Sequence, residues 1–180
     1  MDLNHVLIMD SFLTSKECNK IIKTCSSVEF TKKTDVLCGY EEWVVSNPVA
    51  KELKFLVKKL QKAILKYSKK FPEIKLIPTI NLRDCRIKLF RPGKHFVRWH
   101  ADHSPESPQR VLGIMIYLTD HKSGTEFFNG NVVRSKAGRL IIWPSSFTHM
   151  HRGQKCPDNK ERYLFSGYFE YRPVKLLRKN

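Results

Sequence analysis

The residues best suited to chemistry lie in one short stretch, from Phe90 to His103, which reads FRPGKHFVRWHADH. Within it a histidine and a carboxylate stand two residues apart, as His100 and Asp102. On a β-strand, residues i and i+2 point to the same face of the sheet. The imidazole and the carboxylate would then point toward one position, as two ligands of a single metal ion must.

A third ligand is available about fifty residues further along the chain, where the sequence reads THMH. His149 and His151 lie two residues apart there, so both would face the same way on a strand. Two histidines and one carboxylate on one face, with open positions opposite, form the facial triad of non-haem Fe(II) oxygenases. The spacing therefore predicts an iron site whose third ligand is one of these two histidines.

The composition indicates one globular domain. A chain of 180 residues, 41% of them hydrophobic, can build one core but is short for two full domains. No run approaches the roughly 18 apolar residues of a membrane span, and the start MDLNHVLIMD does not have the pattern of a secretory signal. The five cysteines are irregularly spaced without a CxxC pair, which favours a reducing, cytoplasmic location over a disulfide framework.

The formal net charge is +16, which would attract nucleic acid, anionic lipid or an acidic protein. Much of the excess is local, because residues 51–70 include eight lysines and one acid, Glu52. A solvated helix face is the simpler interpretation of that run. Arg98, Arg152 and Lys155 are candidates for steering an acidic substrate, with solvated loop charges as the alternative.

The N-terminal part, residues 1–74, is predicted to contain supporting strands and helices. A short strand over residues 3–9 precedes Thr14 and Glu17, whose spacing is typical of a capping box that opens a helix of about 12 residues. A second strand is predicted over residues 36–45.

The main helix is predicted to begin at Asn47-Pro48, an N-cap followed by proline at the first helical position. It should end near Phe71-Pro72, since the residue before a proline is pushed out of the α region. Apolar residues recur at steps of three and four along it, opposite the lysines, and these are Val49, Leu53, Leu56, Leu60, Ile64 and Tyr67. Such a stripe is suited to lie against a sheet.

From about residue 75 to 172 the sequence changes to short β-rich runs separated by turn residues. The runs are KLIPTI, CRIKLF, HFVRWHAD, VLGIMIYLTD, GTEFF, NVVRS, RLIIWP and ERYLFSGYFEY. Asn129-Gly130 between two of them predicts a β-hairpin. About eight strands at this spacing indicate an α+β, mainly β protein built as a double-sheet jelly roll with the helices against one sheet. Residues 173–180 are predicted to form a basic tail.

A buried cation would complete this chemical pattern. Arg162 follows His151 by eleven residues and opens the last β-rich run. An iron oxygenase with a dicarboxylate cosubstrate needs a fixed cation at the far end of its pocket. Arginine offers a planar fork of donors for the two oxygens of a carboxylate.

Together these stretches resemble the 2-oxoglutarate/Fe(II)-dependent dioxygenases of the prolyl 4-hydroxylase type. The matching segments are DSFLTSKEC, FRPGKHFVRWHAD, IMIYLTD, GTEFF, GRLIIWPSSFTHMHRG and ERYLFSGYFEY. The resemblance spans residues 10–171 and implies a double-stranded β-helix with His100, Asp102 and His151 as Fe(II) ligands. His149 is the alternative third ligand, and the family's spacing between the third ligand and the basic residue favours His151.

The resemblance also implies a 2-oxoglutarate pocket. Arg162 would pair with the distal carboxylate of the cosubstrate, and Tyr117 would line the pocket. Phe90 stands where the family commonly has a tyrosine, which removes one hydroxyl from the expected contacts. The step from Phe96 to His100 is one residue longer than usual. Apart from the resemblance, Trp99 and Trp143 could either line the pocket or pack in the core beside it.

The implied activity is hydroxylation of a protein side chain, with a prolyl residue as the leading candidate, and release of succinate and carbon dioxide. Ascorbate is a candidate reductant. The +16 charge motivates an alternative, an oxygenase acting on nucleic acid. Against it, the run RYLFSGYF lacks the second arginine and the Asn-x-Thr-x-Arg pattern expected of alkylated-base demethylases. A third interpretation is a non-enzymatic basic jelly roll that binds a partner without turnover.

Overall fold

The computed structural model describes residues 4–26, 31–35, 38–44, 53–77, 80–155, 157 and 159–171. Its described part contains two α-helices, α1 (Ser15–Ser26) and α2 (Lys54–Lys70), with short 3-10 helices at Pro72–Leu76 and Phe147–His149. The described strands are β1 (Leu7–Met9), β2 (Thr31–Asp35), β3 (Cys38–Val44), β4 (Ile80–Phe90), β5 (Arg110–Tyr117), β6 (Gly124–Phe127), β7 (Val132–Arg134), β8 (Leu140–Pro144), β9 (His151–Gly153) and β10 (Arg162–Tyr171).

These strands form two antiparallel sheets. The larger sheet has the order β1-β8-β5-β10-β4-β3-β2, and the smaller one has the order β7-β6-β9. From β5 onward the chain passes repeatedly between the sheets, because β6, β7 and β9 lie in the small sheet while β8 and β10 lie in the large one. This arrangement confirms the predicted mainly β, double-sheet architecture.

Both helices support the large sheet. Ile21 of α1 and Leu60 of α2 are buried in one hydrophobic cluster with Ile114 of β5 and Phe165 of β10. The described lysines of α2 lie on its other sides and are mostly exposed. The amphipathic stripe therefore places the apolar side of α2 on the sheet, as its spacing predicts. Among the helices that the structure describes, none is long and apolar enough to cross a membrane.

The local signals at the helix ends are confirmed where the structure describes them. The backbone N–H of Thr14 donates to Glu17 Oε2 at 2.8 Å, and the N–H of Glu17 donates to Thr14 Oγ1 at 3.2 Å. This is the reciprocal capping box that was predicted. Helix α2 ends at Lys70, directly before Phe71-Pro72. Its predicted start at Asn47-Pro48 and the predicted tail 173–180 lie outside the described residues.

Several strand boundaries differ from prediction. The strand predicted over residues 3–9 is reduced to β1, and neither β2 nor β9 was predicted. The run KLIPTI does not begin as a strand, because Pro72 opens a 3-10 helix that extends to Leu76. The hairpin prediction is confirmed, since Gly130 adopts a φ of +82° between β6 and β7, a conformation that glycine reaches without strain.

The strand predicted over HFVRWHAD is wrong. In this segment the structure has isolated bridges, one of which pairs His100 with His151 of β9. Gly153 donates its N–H to the carbonyl of Phe96 at 2.9 Å, so the four-residue step from Phe96 to His100 faces a two-residue step on β9. The two additional residues make a bulge, and a regular ladder cannot continue through it.

Candidate active site

Three side chains converge at the position where the bulged segment meets β9. The ligating atoms of His100, Asp102 and His151 all lie within 4.8 Å of one another. Nε2 of His100 is 4.0 Å from Asp102 Oδ1, and Nε2 of His151 is 3.9 Å from Asp102 Oδ2. Asp102 and His151 are buried, while His100 is half-buried. Within the described residues, this is the group of three or more such side chains that could hold a metal ion.

Backbone pairing accounts for the placement of the two histidines. His100 and His151 donate their N–H groups to each other's carbonyls at 3.1 and 2.9 Å. Residues that exchange both bonds in an antiparallel pair lie directly opposite and share a face. Their ring centroids are accordingly 4.3 Å apart. Asp102 follows in a bend rather than on a strand, so the i, i+2 geometry used for the prediction does not apply.

Both imidazoles are oriented for metal binding. Nδ1 of His100 lies 3.1 Å from the carbonyl of Arg98, and Nδ1 of His151 lies 3.0 Å from the carbonyl of His149. A carbonyl can only accept, so each Nδ1 carries the proton and each Nε2 presents its lone pair to the cluster. Burial lowers the pKa of His100 to about 4, and the neighbouring His151 acts in the same direction. This donor set suits a divalent transition metal.

The carboxylate of Asp102 is held by a donor from the large sheet. Trp143 Nε1–H donates to Asp102 Oδ2 at 3.0 Å. Burial raises the pKa of the nearby Tyr168 phenol, and the charge of Asp102 adds to this effect, so the phenol stays protonated. A Cβ at Gly113 would lie 2.6 Å from Asp102 Oδ2 and 2.7 Å from the Trp143 ring. Glycine therefore leaves the space that this contact needs.

The other predicted third ligand, His149, points away from the cluster. Its Nε2 lies 2.7 Å from the backbone carbonyl of Asn4, and its Nδ1 lies 2.9 Å from Thr148 Oγ1. The structure thus groups His151, and not His149, with His100 and Asp102.

Arg162 lines the same cavity as the three clustered side chains. Its side chain is 2% exposed, and its guanidinium lies 4.6 Å from the ring centroid of Phe90. Nη1 donates to the hydroxyl of Ser123 at 2.9 Å. A guanidinium in such a site strengthens any carboxylate hydrogen bond that forms there, because the surroundings exclude water.

Tyr117 also lines this cavity and is fully buried. Its hydroxyl lies 2.7 Å from Thr125 Oγ1 and 2.9 Å from the carbonyl of Val133. The carbonyl can only accept, so the phenolic proton is directed at the small sheet. Phe90 carries no hydroxyl, and its ring instead forms an apolar wall beside Arg162.

Three polar cavity residues, Lys88, Ser166 and Tyr168, were not among the predicted site residues. A signal for them is present in the sequence. Lys88 stands two residues before Phe90 on β4, and the other two stand four and six residues after Arg162 on β10. Because alternate residues of a strand share a face, each belongs to the same face as a residue already predicted.

Two histidines and a carboxylate that meet in one cavity are typical of non-haem Fe(II) oxygenases, and here a buried arginine lines the same cavity. Residues 87–170 match the family model of the 2OG-Fe(II) oxygenase superfamily. The matched segment contains His100, Asp102, His151 and Arg162. The family match and the clustered side chains confirm the prediction of a 2-oxoglutarate/Fe(II)-dependent dioxygenase with Fe(II) and 2-oxoglutarate as cofactors.

Solved structures with the same fold include prolyl hydroxylases. A Pseudomonas putida prolyl-4-hydroxylase is 17% identical with a TM-score of 0.78, and the match covers 95% of each chain. The 2-oxoglutarate complex of a viral collagen prolyl hydroxylase from Paramecium Bursaria Chlorella virus-1 is 17% identical with a TM-score of 0.72, covering 95% of this chain and 98% of that one.

A third similar structure is a Trichoplax adhaerens prolyl hydroxylase in complex with a hypoxia inducible factor peptide fragment. It is 13% identical with a TM-score of 0.72, covering 93% of this chain and 84% of that one. A comparison with curated proteins gives no match. At these identities the structures establish a shared fold, and the predicted double-stranded β-helix is confirmed.

Proposed function

We propose that this dioxygenase hydroxylates a side chain of a polypeptide, with a prolyl residue as the target. The observation that carries the proposal is the combination of the His100, Asp102 and His151 cluster with Arg162 in one cavity of a fold shared with prolyl hydroxylases. The peptide complex of the Trichoplax adhaerens neighbour supports a polypeptide substrate. Residues 75–172 would form the catalytic core, and residues 1–74 would support it.

In this proposal, His100, Asp102 and His151 bind Fe(II) through the two Nε2 atoms and the carboxylate. Bound Fe(II) and 2-oxoglutarate would supply the oxidising chemistry, in which dioxygen is consumed and succinate and carbon dioxide are released. Arg162 binds the distal carboxylate of 2-oxoglutarate, and the Phe90 ring excludes water from that ion pair. Tyr117 contributes packing on this side of the cavity, since its proton is directed at Val133.

Trp143 is a positioning residue for Asp102. Its N–H holds Oδ2 at 3.0 Å and leaves Oδ1 directed at the side of the cluster where His100 lies. Partners that orient a metal ligand typically contribute about 10- to 100-fold in metal affinity. This contact fixes the carboxylate before the metal binds.

Trp143→Phe is therefore expected to weaken Fe(II) binding about 10-fold, because an aromatic ring is kept in place and the N–H donor is lost. Anaerobic titration with Fe(II) or Co(II) measures the dissociation constant independently of turnover. Trp99→Phe is the matched control, since that ring contacts Arg152 and Phe128 instead. Equal affinities of the Trp143→Phe variant and the unaltered protein would contradict the positioning role.

The substrate class is tested by a turnover assay with Fe(II) and 2-oxoglutarate against a panel of proline-containing peptides and oligonucleotides. Mass spectrometry should detect the gain of one oxygen atom on a prolyl residue. The +16 charge supports oxidation of nucleic acid as a second candidate, because cationic surfaces bind phosphate backbones. Oxygen gain or demethylation on oligonucleotides alone would replace the peptide proposal by that one.

A further inference from the structure

A second and larger cavity lies beside the catalytic one. Its volume is about 420 Å³, and Arg152 and Gly153 line both cavities. The second cavity has His95 and Val97 of the bulged segment on one side. On the other side are Lys122, just before β6, and Lys155, just after β9. The two cavities are therefore direct neighbours on either side of Arg152 and Gly153.

The second cavity is positively charged. Glu126, the acid on its lining, binds Arg152 with 2.9 Å between Oε2 and Nε. Lys122 and Lys155, both exposed, then give the lining a cationic excess. Burial lowers the pKa of His95 on the same lining, and the nearby charges of Arg162, Lys155 and Arg152 act in the same direction, against a backbone hydrogen bond with Gly93.

Apolar side chains lie close to the charged residues of the second cavity. The Arg152 guanidinium lies 4.4 Å from the Trp99 ring centroid, and Phe128 meets Trp99 edge-on at 5.2 Å. Val97 is 38% exposed and Phe128 is 68% exposed. Because Arg152 covers one face of the Trp99 ring, that face is closed to a stacking nucleobase. Apolar contacts beside separate cations suit an extended polypeptide better than a single strand of nucleic acid.

We propose that the second cavity binds an acidic segment of the polypeptide substrate, next to the residue that is oxidised in the catalytic cavity. This inference rests on the proposed function and specifies its substrate class. Asp or Glu side chains of the substrate pair with Lys155, and the neighbouring substrate backbone packs on Val97. Such charge pairs affect mainly the association rate and the affinity for the substrate, and they affect the rate of the chemical step less.

Direct binding tests this independently of turnover. The probe is a fluorescein-labelled peptide with a central proline flanked by glutamates, compared by anisotropy with the same peptide carrying glutamines. The glutamate peptide should bind about 10-fold more tightly at low salt and lose most of that advantage as salt screens the pairs. The Lys155→Glu variant should bind it roughly five-fold more weakly, as expected for reversing one exposed charge.

Lys62→Glu is the matched control, because it changes the net charge equally from an exposed position on α2. Equal binding of the two peptides, or equal weakening by Lys62→Glu and Lys155→Glu, would overturn the inference. An oligothymidylate that binds more tightly than the glutamate peptide and depends on Lys155 would assign the cavity to nucleic acid. If no peptide gains oxygen, the proposed function fails, whereas the anisotropy still decides what the cavity binds.

Discussion

Replacing His151 by alanine is expected to abolish stoichiometric Fe(II) binding and to lower turnover by at least about a thousandfold. The reason is that a first ligand is lost, whereas even the outer partners of metal ligands are worth about 10- to 100-fold in affinity or activity. Iron content after anaerobic reconstitution and 2-oxoglutarate-dependent succinate formation measure the two effects separately. Thermal unfolding checks that the variant folds.

His149→Ala is the matched control for this experiment. The two histidines are two residues apart, and His149 is bonded to Asn4 and Thr148 on the side away from the cluster. The His149→Ala variant should retain its iron and its turnover. The reverse pattern, with iron lost in the His149→Ala variant and kept in the His151→Ala variant, would show that the third ligand has been assigned to the wrong histidine.

Replacing Arg162 by alanine is expected to raise the 2-oxoglutarate concentration for half-maximal turnover by about 30-fold or more. Removing one partner of a buried, hydrogen-bonded charge pair costs about 2–5 kcal/mol, and each 1.4 kcal/mol is roughly tenfold in affinity. The effect should appear as a change in KM for 2-oxoglutarate, measured by succinate formation at saturating peptide. Iron content should stay at the level of the unaltered protein.

Arg91→Ala removes the same charge at an exposed position, where Arg91 forms an ion pair with Glu161. Its KM for 2-oxoglutarate should be unchanged. Arg162→Lys should recover part of the affinity, since it keeps the charge but not the planar pair of donors. If Arg162→Ala leaves the cosubstrate requirement unchanged, another cation holds the carboxylate, and Lys88 lines the same cavity.

The features that were predicted well depend on residues near one another in the chain. Thr14 and Glu17 are three residues apart, and Asn129-Gly130 forms its turn without help from distant residues, so both could be interpreted locally. The strand over HFVRWHAD failed for the opposite reason. Its β-rich composition says nothing about the length of the partner strand, and β9 offers only Gly153 and His151 for pairing.

In the candidate site, too, the contacts between residues far apart in the sequence could not be predicted. His100, Asp102 and His151 were predicted together, and the structure brings them together, but through a cross-strand pair and not through strand alternation. The link from Trp143 to Asp102 spans 41 residues of sequence. No local pattern predicts such a contact, because it depends on how β8 lies beside the bulged segment. The roles of these residues as ligands and positioning groups stay predictions.

The bulge before His100 has an evolutionary consequence. His100 is fixed by its own pair of bonds to His151, and Phe96 is fixed by Gly153, whatever length of chain joins them. Insertions or deletions directly after Phe96 can therefore be absorbed without breaking the His100–His151 pair, since an added loop residue costs little entropy. The Arg98 carbonyl beside His100 Nδ1 must then keep its place. Val97 and Arg98 between them are exposed. Variation in length here would reshape the lining of the second cavity at Val97 and leave the His100–His151 pair in place, which makes this segment a natural place for substrate preference to diverge.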